Sequence, residues 1–196
     1  MFAIAFFAFV RSNLPDVKVH RIDIYKFNVT KLQNENKDTL EVDVRIMVNV
    51  TNGNKKMTLL YGKMKVETKV EGFKLPNVHL DGFKQNTMTT NDLKIHPQEL
   101  RSTVNKDDAK ELKLTADQNE LVLSLKLKGT IQFWYNGRML SKMYLKVSCE
   151  GIEKHKVDLA VAHECNVKLS FVRKRGLQLG VECYHDFLKS LGHDPQ

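Results

Sequence analysis

Two short motifs near the C-terminus combine residue types that bind zinc or form disulfide bonds. His-Glu-Cys at 163–165 and Cys-Tyr-His at 183–185 flank alternating apolar residues, which predict a β-hairpin with a basic tip. In the simplest register Cys165 faces His185, and thiolate and imidazole groups are zinc ligands. Because three ligands on a flat sheet make a poor tetrahedron, we favour core packing, or a disulfide that includes Cys165, and we predict no metal site.

The cysteines and two sequons bear on the compartment of the protein. Cys149, Cys165 and Cys183 are three in number, so they cannot all pair within the chain, and the pairing stays open. A disulfide between two of them requires an oxidising compartment. Sequons at Asn28 and Asn49 fit the same compartment, because they predict a glycoprotein.

The sequence has none of the motifs that identify common enzyme classes. It contains no Gly-rich phosphate loop, no nucleophile elbow, no HExxH and no paired CxxC. Asp107 and Asp108 are better explained as the acidic first turn of a helix than as an acid–base couple. We therefore predict a protein that is not an enzyme and uses no cofactor.

Two long segments, 40–52 and 121–133, alternate apolar and polar residues at a period of two. This pattern is typical of strands with one buried and one solvated face. It predicts an all-β, antiparallel β-sandwich of about seven or eight strands with a short helical insertion. The residues expected to face each other across one core are Val42, Val44, Ile46, Val48, Leu121, Leu123, Leu125 and Leu127.

Several local signals interrupt the alternation. A one-residue slip at 20–21 predicts a β-bulge, and Asn-Gly at 136–137 predicts a hairpin. Asn-Gly-Asn at 52–54 predicts a turn, because Gly and Asn tolerate positive φ. Residues 97–100 and 107–112 are predicted to form short helical turns with acidic starts.

The net charge of +8 allows two interpretations. Most lysines alternate along predicted strands, which is typical of the solvated face of a sheet. The alternative is a functional basic surface, for which an anionic membrane is a candidate partner. We expect no nucleic acid among the partners.

The N-terminal segment is strongly apolar. Met1–Val10 contains no charge and is followed by Arg11. A membrane span needs ~20 apolar residues, so we predict that residues 1–11 are a remnant of a membrane anchor or secretory segment. The alternatives are a buried core segment and a start inside a longer transmembrane helix. The remaining chain divides into a domain at 12–171 and an extension of unknown role at 172–196.

The order of short motifs along the chain points to one family. The motifs lie at residues 14–17, 42–54, 61–66, 83–85, 125–137 and 143–152. Together they resemble the plant late embryogenesis abundant type 2 domain (the LEA-2 subgroup), in its membrane-anchored NDR/HIN-like branch. The resemblance covers about Arg11 to Leu169, and Gly53 stands where that family usually has proline.

The resemblance implies a fibronectin III-like β-sandwich without catalytic residues and a role in plant defence or abiotic-stress response. It also implies a position at the plasma membrane, with the domain on the extracellular side, where it contacts the membrane surface or an unidentified protein partner. Related domains are suspected of holding lipid between their sheets. The alternative function is therefore a lipid-binding or lipid-transfer module with an apolar groove.

Overall fold

Two antiparallel sheets dominate the computed structural model, which describes residues 13–31, 37–97 and 100–171. Those residues form thirteen strands and two helices. The strands are β1 (Asp16–Lys31), β2 (Lys37–Asn52), β3 (Thr58–Tyr61), β4 (Met64–Val70), β5 (Phe73–Lys74), β6 (Val78–Leu80), β7 (Lys84–Gln85), β8 (Thr89–Ile95), β9 (Leu100–Asn105), β10 (Val122–Tyr135), β11 (Arg138–Glu153), β12 (His163–Glu164) and β13 (Asn166–Phe171). The helices are α1 (Lys106–Asp117) and α2 (Lys154–Asp158).

The all-β prediction is confirmed, but the predicted strand number is too low. Five of the strands, β3, β5, β6, β7 and β12, are two to four residues long. A strand of two to four residues has too few alternating positions for a period of two to be detected in the sequence. The sequence therefore predicts most of the longer strands and misses the short ones, and it also misses the six-residue β9.

The smaller sheet, sheet A, has the order β12-β1-β2, and both β8 and β9 pair with the far side of β2. β8 pairs with the C-terminal half of β2 and β9 with the N-terminal half. The larger sheet, sheet B, has the order β13-β11-β10, and β10 pairs with both β3 and β4. The pairing between the long strands is non-local except in the β1–β2 and β10–β11 hairpins.

The core lies between the two sheets, as the alternation predicts. The eight residues expected to face each other belong to one buried cluster, and none of their side chains is more than 3% exposed. The alternating burial continues along the whole of β2, from Asp38 to Asn52. The assignment of strand faces is therefore confirmed.

Four irregularities set the register of the long strands. The predicted bulge at 20–21 is present as a register shift between Val19 and Arg21. The shifts at Tyr25, at Leu140 and opposite Ser124 have no counterpart in the sequence-based prediction. The Asn-Gly hairpin is confirmed, because Asn136 and Gly137 both have positive φ, at 47° and 74°, as a type I′ turn requires.

The predicted helical turns have different outcomes. Residues 107–112 lie in α1, whose cap is formed when Asn105 Oδ1 accepts a hydrogen bond from the Asp108 N–H at 2.8 Å. At 97–100 the prediction of a helical turn fails, since Leu100 begins β9, and residues 98–99 lie outside the described part. The sequence also predicts a hairpin between β13 and residues 177–181, but those residues lie outside the described part of the chain. Within the described part, β13 pairs with β11.

Candidate functional site

Cys149 and Cys165 form a disulfide bond that joins β11 to the segment between β12 and β13. The antiparallel register explains the pairing: Ser148 lies opposite Asn166, so the next position places the two cysteines opposite each other. Their Cα atoms are 4.4 Å apart, close to the spacing of a non-hydrogen-bonded antiparallel pair. Cys183 lies outside the described residues.

The zinc alternative receives no support from the described ranges. They contain no group of three or more His, Cys, Asp or Glu side chains that could hold a metal ion. Cys165 uses its sulfur in the disulfide, and His163 lies on β12 opposite Val19. His185 is beyond the described part of the chain.

The ionisable groups whose pKa is shifted show no poised acid–base pair in the described ranges. A hydrogen bond from Lys128 lowers the pKa of Glu67, and one from Lys126 lowers the pKa of Glu150. Both are exposed ion pairs, which stabilise a charge without preparing it for proton transfer. Burial raises the pKa of Tyr61, which keeps its hydroxyl protonated.

Two surface depressions lie beside β1. One of about 170 Å³ lies on the outer face of sheet A, between Arg21, Tyr25 and Arg45. The other, of about 370 Å³, opens beside β1 and α2, and its lining combines apolar with charged or polar side chains: Ile22, Val157, Ala160, His20, Arg21, Asp23 and Asp158. Charged side chains line part of both depressions, so neither is a wholly apolar groove.

The two predicted glycosylation sites differ in accessibility. Asn28 is exposed in the C-terminal half of β1, where it lies opposite Glu41. Asn49 is half-buried in the middle of sheet A, between Lys18 and Asp92 of the neighbouring strands. Asn28 is therefore the more accessible acceptor.

One end of the sandwich, which we call the hairpin end, brings together the loops 53–57 and 86–88 and the tip of the β10–β11 hairpin, 134–140. The contacts are continuous, because Trp134 pairs with Thr58, while the Met88 N–H donates to the Asn54 carbonyl at 3.2 Å. Asn54 Nδ2 also donates to the Asn13 carbonyl at 3.2 Å. The described chain therefore begins at this end.

A buried amide holds the hairpin end together. Asn52 is fully buried, and its Nδ2 donates to the carbonyls of Met57 and Asn86, both at 2.9 Å. Its Oδ1 accepts from the backbone N–H and the Nδ2 of Asn54, at 3.1 and 2.7 Å. None of residues 52–54 has positive φ, so the predicted positive-φ turn is wrong, and the asparagines join loops instead.

The surface of the hairpin end is apolar and basic. Met88, Tyr135, Met139 and Leu140 are between 39% and 62% exposed. Leu140 is the extra residue of the β11 bulge, which turns it outward beside Met139. Exposed basic residues of the same end are Lys55, Lys56 and Arg138. No Asp or Glu occurs in segments 53–57, 86–88 or 134–140.

The outer face of sheet B is also basic. Its lysines include Lys65, Lys69, Lys74, Lys126, Lys128, Lys142, Lys146 and Lys168, and its carboxylates include Glu67, Glu150 and Glu153. The alternation of the sequence predicts that these side chains point to solvent, but it does not predict which of them are neighbours across strands.

Comparisons with known proteins add little. Neither helix of the described residues is long and apolar enough to cross a bilayer. No protein-family model and no curated protein matches the chain. A solved structure of a protein from Archaeoglobus fulgidus is 8% identical, covers 67% of this chain and 96% of that chain, and has a TM-score of 0.29. A likeness at that level carries no argument about function.

Proposed function

We propose that this protein is a non-enzymatic, membrane-associated domain whose hairpin end faces an anionic lipid surface. One observation carries the proposal: exposed apolar and basic side chains are grouped, without carboxylates, at the end where the described chain begins. The apolar residues 1–11 precede that point in the sequence.

The chemistry of the hairpin end suits a membrane interface. Tyrosine and tryptophan favour the headgroup region, and the exposed Met139 and Leu140 are suited to shallow insertion between acyl chains. Each well-placed lysine or arginine adds about 1 kcal/mol of attraction to an anionic leaflet, and Lys55, Lys56 and Arg138 are available for this. The lack of carboxylates removes the main source of repulsion.

The disulfide supports an extracellular position. Disulfides persist in oxidising compartments and are rare in the cytosol, so Cys149–Cys165 favours the outer side of the plasma membrane. The exposed Asn28 is compatible with glycosylation on that side. With the motif order described above, these features support a late embryogenesis abundant type 2 domain of the NDR/HIN-like branch, acting in plant defence or stress responses.

The test uses the full chain and its single tryptophan, Trp134, which lies at the hairpin end. We expect sedimentation with vesicles that contain phosphatidylserine, together with a blue shift of Trp134 emission and quenching by spin-labelled lipid. Changing Met139 and Leu140 together to Glu should weaken vesicle binding about tenfold, which corresponds to ~1.4 kcal/mol.

The matched control changes two exposed apolar residues elsewhere, Leu159 and Val161, to Glu. This variant has the same change in charge and should bind vesicles like the unmodified protein. Equal losses in the two variants, or binding without any change in Trp134 emission, would show that the hairpin end does not face the lipid. Failure of the unmodified protein to bind any vesicle would refute the membrane proposal itself.

A further inference from the structure

Four lysines form a continuous row across the outer face of sheet B. Lys128 on β10 lies directly opposite Lys65 on β4 and Lys146 on β11, and Lys146 lies opposite Lys168 on β13. Neighbouring strands are about 4.8 Å apart, so the row spans ~14 Å at right angles to the strands. We call these four residues the lysine row.

The lysine row carries more positive charge than the carboxylates that interact with it. Glu67 pairs with Lys65 at 3.3 Å and with Lys128 at 3.0 Å. Lys146 and Lys168 are exposed and form no ion pair within the described ranges, although the charge of Lys146 contributes to lowering the pKa of Glu150. Like charges directly opposite each other destabilise a sheet, so the excess of positive charge opposes folding.

The outer face of sheet A shows the ordinary arrangement for comparison. There Lys26 pairs with Glu41 at 2.6 Å, and His96 pairs with Asp43 at 2.7 Å. Charges on that face alternate in sign between neighbouring strands, as cross-strand stability favours. The two outer faces of one sandwich thus differ, and the lysine row belongs to the face with the excess of positive charge.

We propose that the lysine row is a docking site for an acidic helical segment of another protein. Side chains three and four residues apart on a helix are ~5–6 Å apart, which is close to the spacing between neighbouring strands. Alternate residues of an extended strand are about 6.7 Å apart and fit the row less well. The half-exposed Tyr144, which lies next to Lys146 between Thr130 and Ser170, offers an apolar contact beside the charges.

Two other anionic partners fit less well. The disulfide favours an oxidising compartment, where nucleic acid is not an ordinary partner. The hairpin end is better suited than the lysine row to contact a lipid surface, because it lies at the end of the strands. The lysine row runs across the middle of the strands. A helix on sheet B and a membrane at the hairpin end can therefore bind together, and the docking proposal does not depend on the membrane proposal.

The test measures binding of two synthetic alanine-rich helical peptides to the full chain by fluorescence anisotropy. One peptide carries its glutamates on a single helical face at every fourth position, and the other has the same composition with glutamates around the helix. The single-face peptide should bind at least about fivefold more tightly, and its affinity should fall with added salt.

The decisive variant changes Lys146 and Lys168 together to Gln. It should lose about tenfold in affinity for the single-face peptide and should melt at the same or a higher temperature, because repulsion is relieved. The matched control changes Lys110 and Lys113, two exposed lysines of α1, to Gln, and should lose less than about twofold.

Three results would overturn the docking proposal. Equal losses in the two variants would mean that only net charge matters. Equal affinity for the two peptides would mean that the row does not recognise a helical stripe. Loss of phosphatidylserine-vesicle binding in the Lys146 and Lys168 variant, with peptide binding unchanged, would assign the row to lipid.

Discussion

The buried amide of Asn52 allows a sharp test of the structure through the change Asn52→Ala. The side chain is 0% exposed and makes four hydrogen bonds, two as donor and two as acceptor. Its loss leaves the carbonyls of Met57 and Asn86 and the backbone N–H of Asn54 without these partners. A buried polar group left unpaired costs ~1–3 kcal/mol, and water at the loop surface relieves part of this. We expect a loss of about 3 kcal/mol in the free energy of unfolding.

Urea unfolding followed by Trp134 fluorescence measures this loss, with the midpoint shifted and the slope unchanged. Asn86→Ala is the matched control, because Asn86 is exposed and contributes only its backbone carbonyl to the cluster. That variant should stay within about 0.5 kcal/mol of the unmodified protein.

A second substitution separates lost hydrogen bonds from lost volume. Asn52→Asp keeps the size and the acceptor but places a carboxylate against the two carbonyls, so it should destabilise at pH 7 at least as much as Asn52→Ala. A loss of under ~1 kcal/mol in both variants would refute the interpretation of Asn52 as the residue that holds the loops together.

Three further predictions test separate parts of the structure. Changing Cys149 and Cys165 together to Ala should lower the free energy of unfolding by about 3 kcal/mol in urea melts compared with the oxidised unmodified protein, as expected for a closed loop of this length, whereas the reduced unmodified protein should be close to the variant. Gly53→Ala should raise the thermal midpoint and add ~0.4–1 kcal/mol, because φ is not positive and a Cβ meets nothing within 4 Å. Because burial raises the pKa of Tyr61, the unfolded chain ionises first above about pH 10. Stability should therefore fall with rising pH by up to ~1.4 kcal/mol per unit more than in Tyr61→Phe, and parallel pH curves would contradict this.

The asparagines at 52–54 show where prediction from the sequence stops. Local preference assigns Asn-Gly-Asn to a turn, because these residue types tolerate positive φ. The structure uses the amide groups of Asn52 and Asn54 to join loops that are more than thirty residues apart, since Asn52 contacts Asn86 and Asn54 contacts Asn13. No local pattern contains that information. The even spacing of β2 offers one hint, because it places Asn52 on the buried face.

The register of the β10–β11 hairpin, by contrast, follows from two signals in the sequence taken together. A two-residue turn at 136–137 places Tyr135 opposite Arg138 and, if continued without interruption, Ile131 opposite Lys142. In that register, apolar residues of one strand would pair with polar residues of the other. Leu140 is an extra, unpaired residue of β11 that shifts the pairing by one position, so that Ile131 lies opposite Met143.

The bulge at Leu140 shapes both surfaces to which we assign a role, the hairpin end and the lysine row. The bulge turns Leu140 outward at the hairpin end, which enlarges the apolar surface there. It also moves the pairing by one position, so that Lys128 lies opposite Lys146 instead of a core residue of β11. Alternation alone shows which side chains are solvated, but their neighbours depend on the turn and the bulge. Removal of Leu140 should therefore disturb the core, the hairpin end and the lysine row at once, whereas Leu140→Ser should change only the hairpin end.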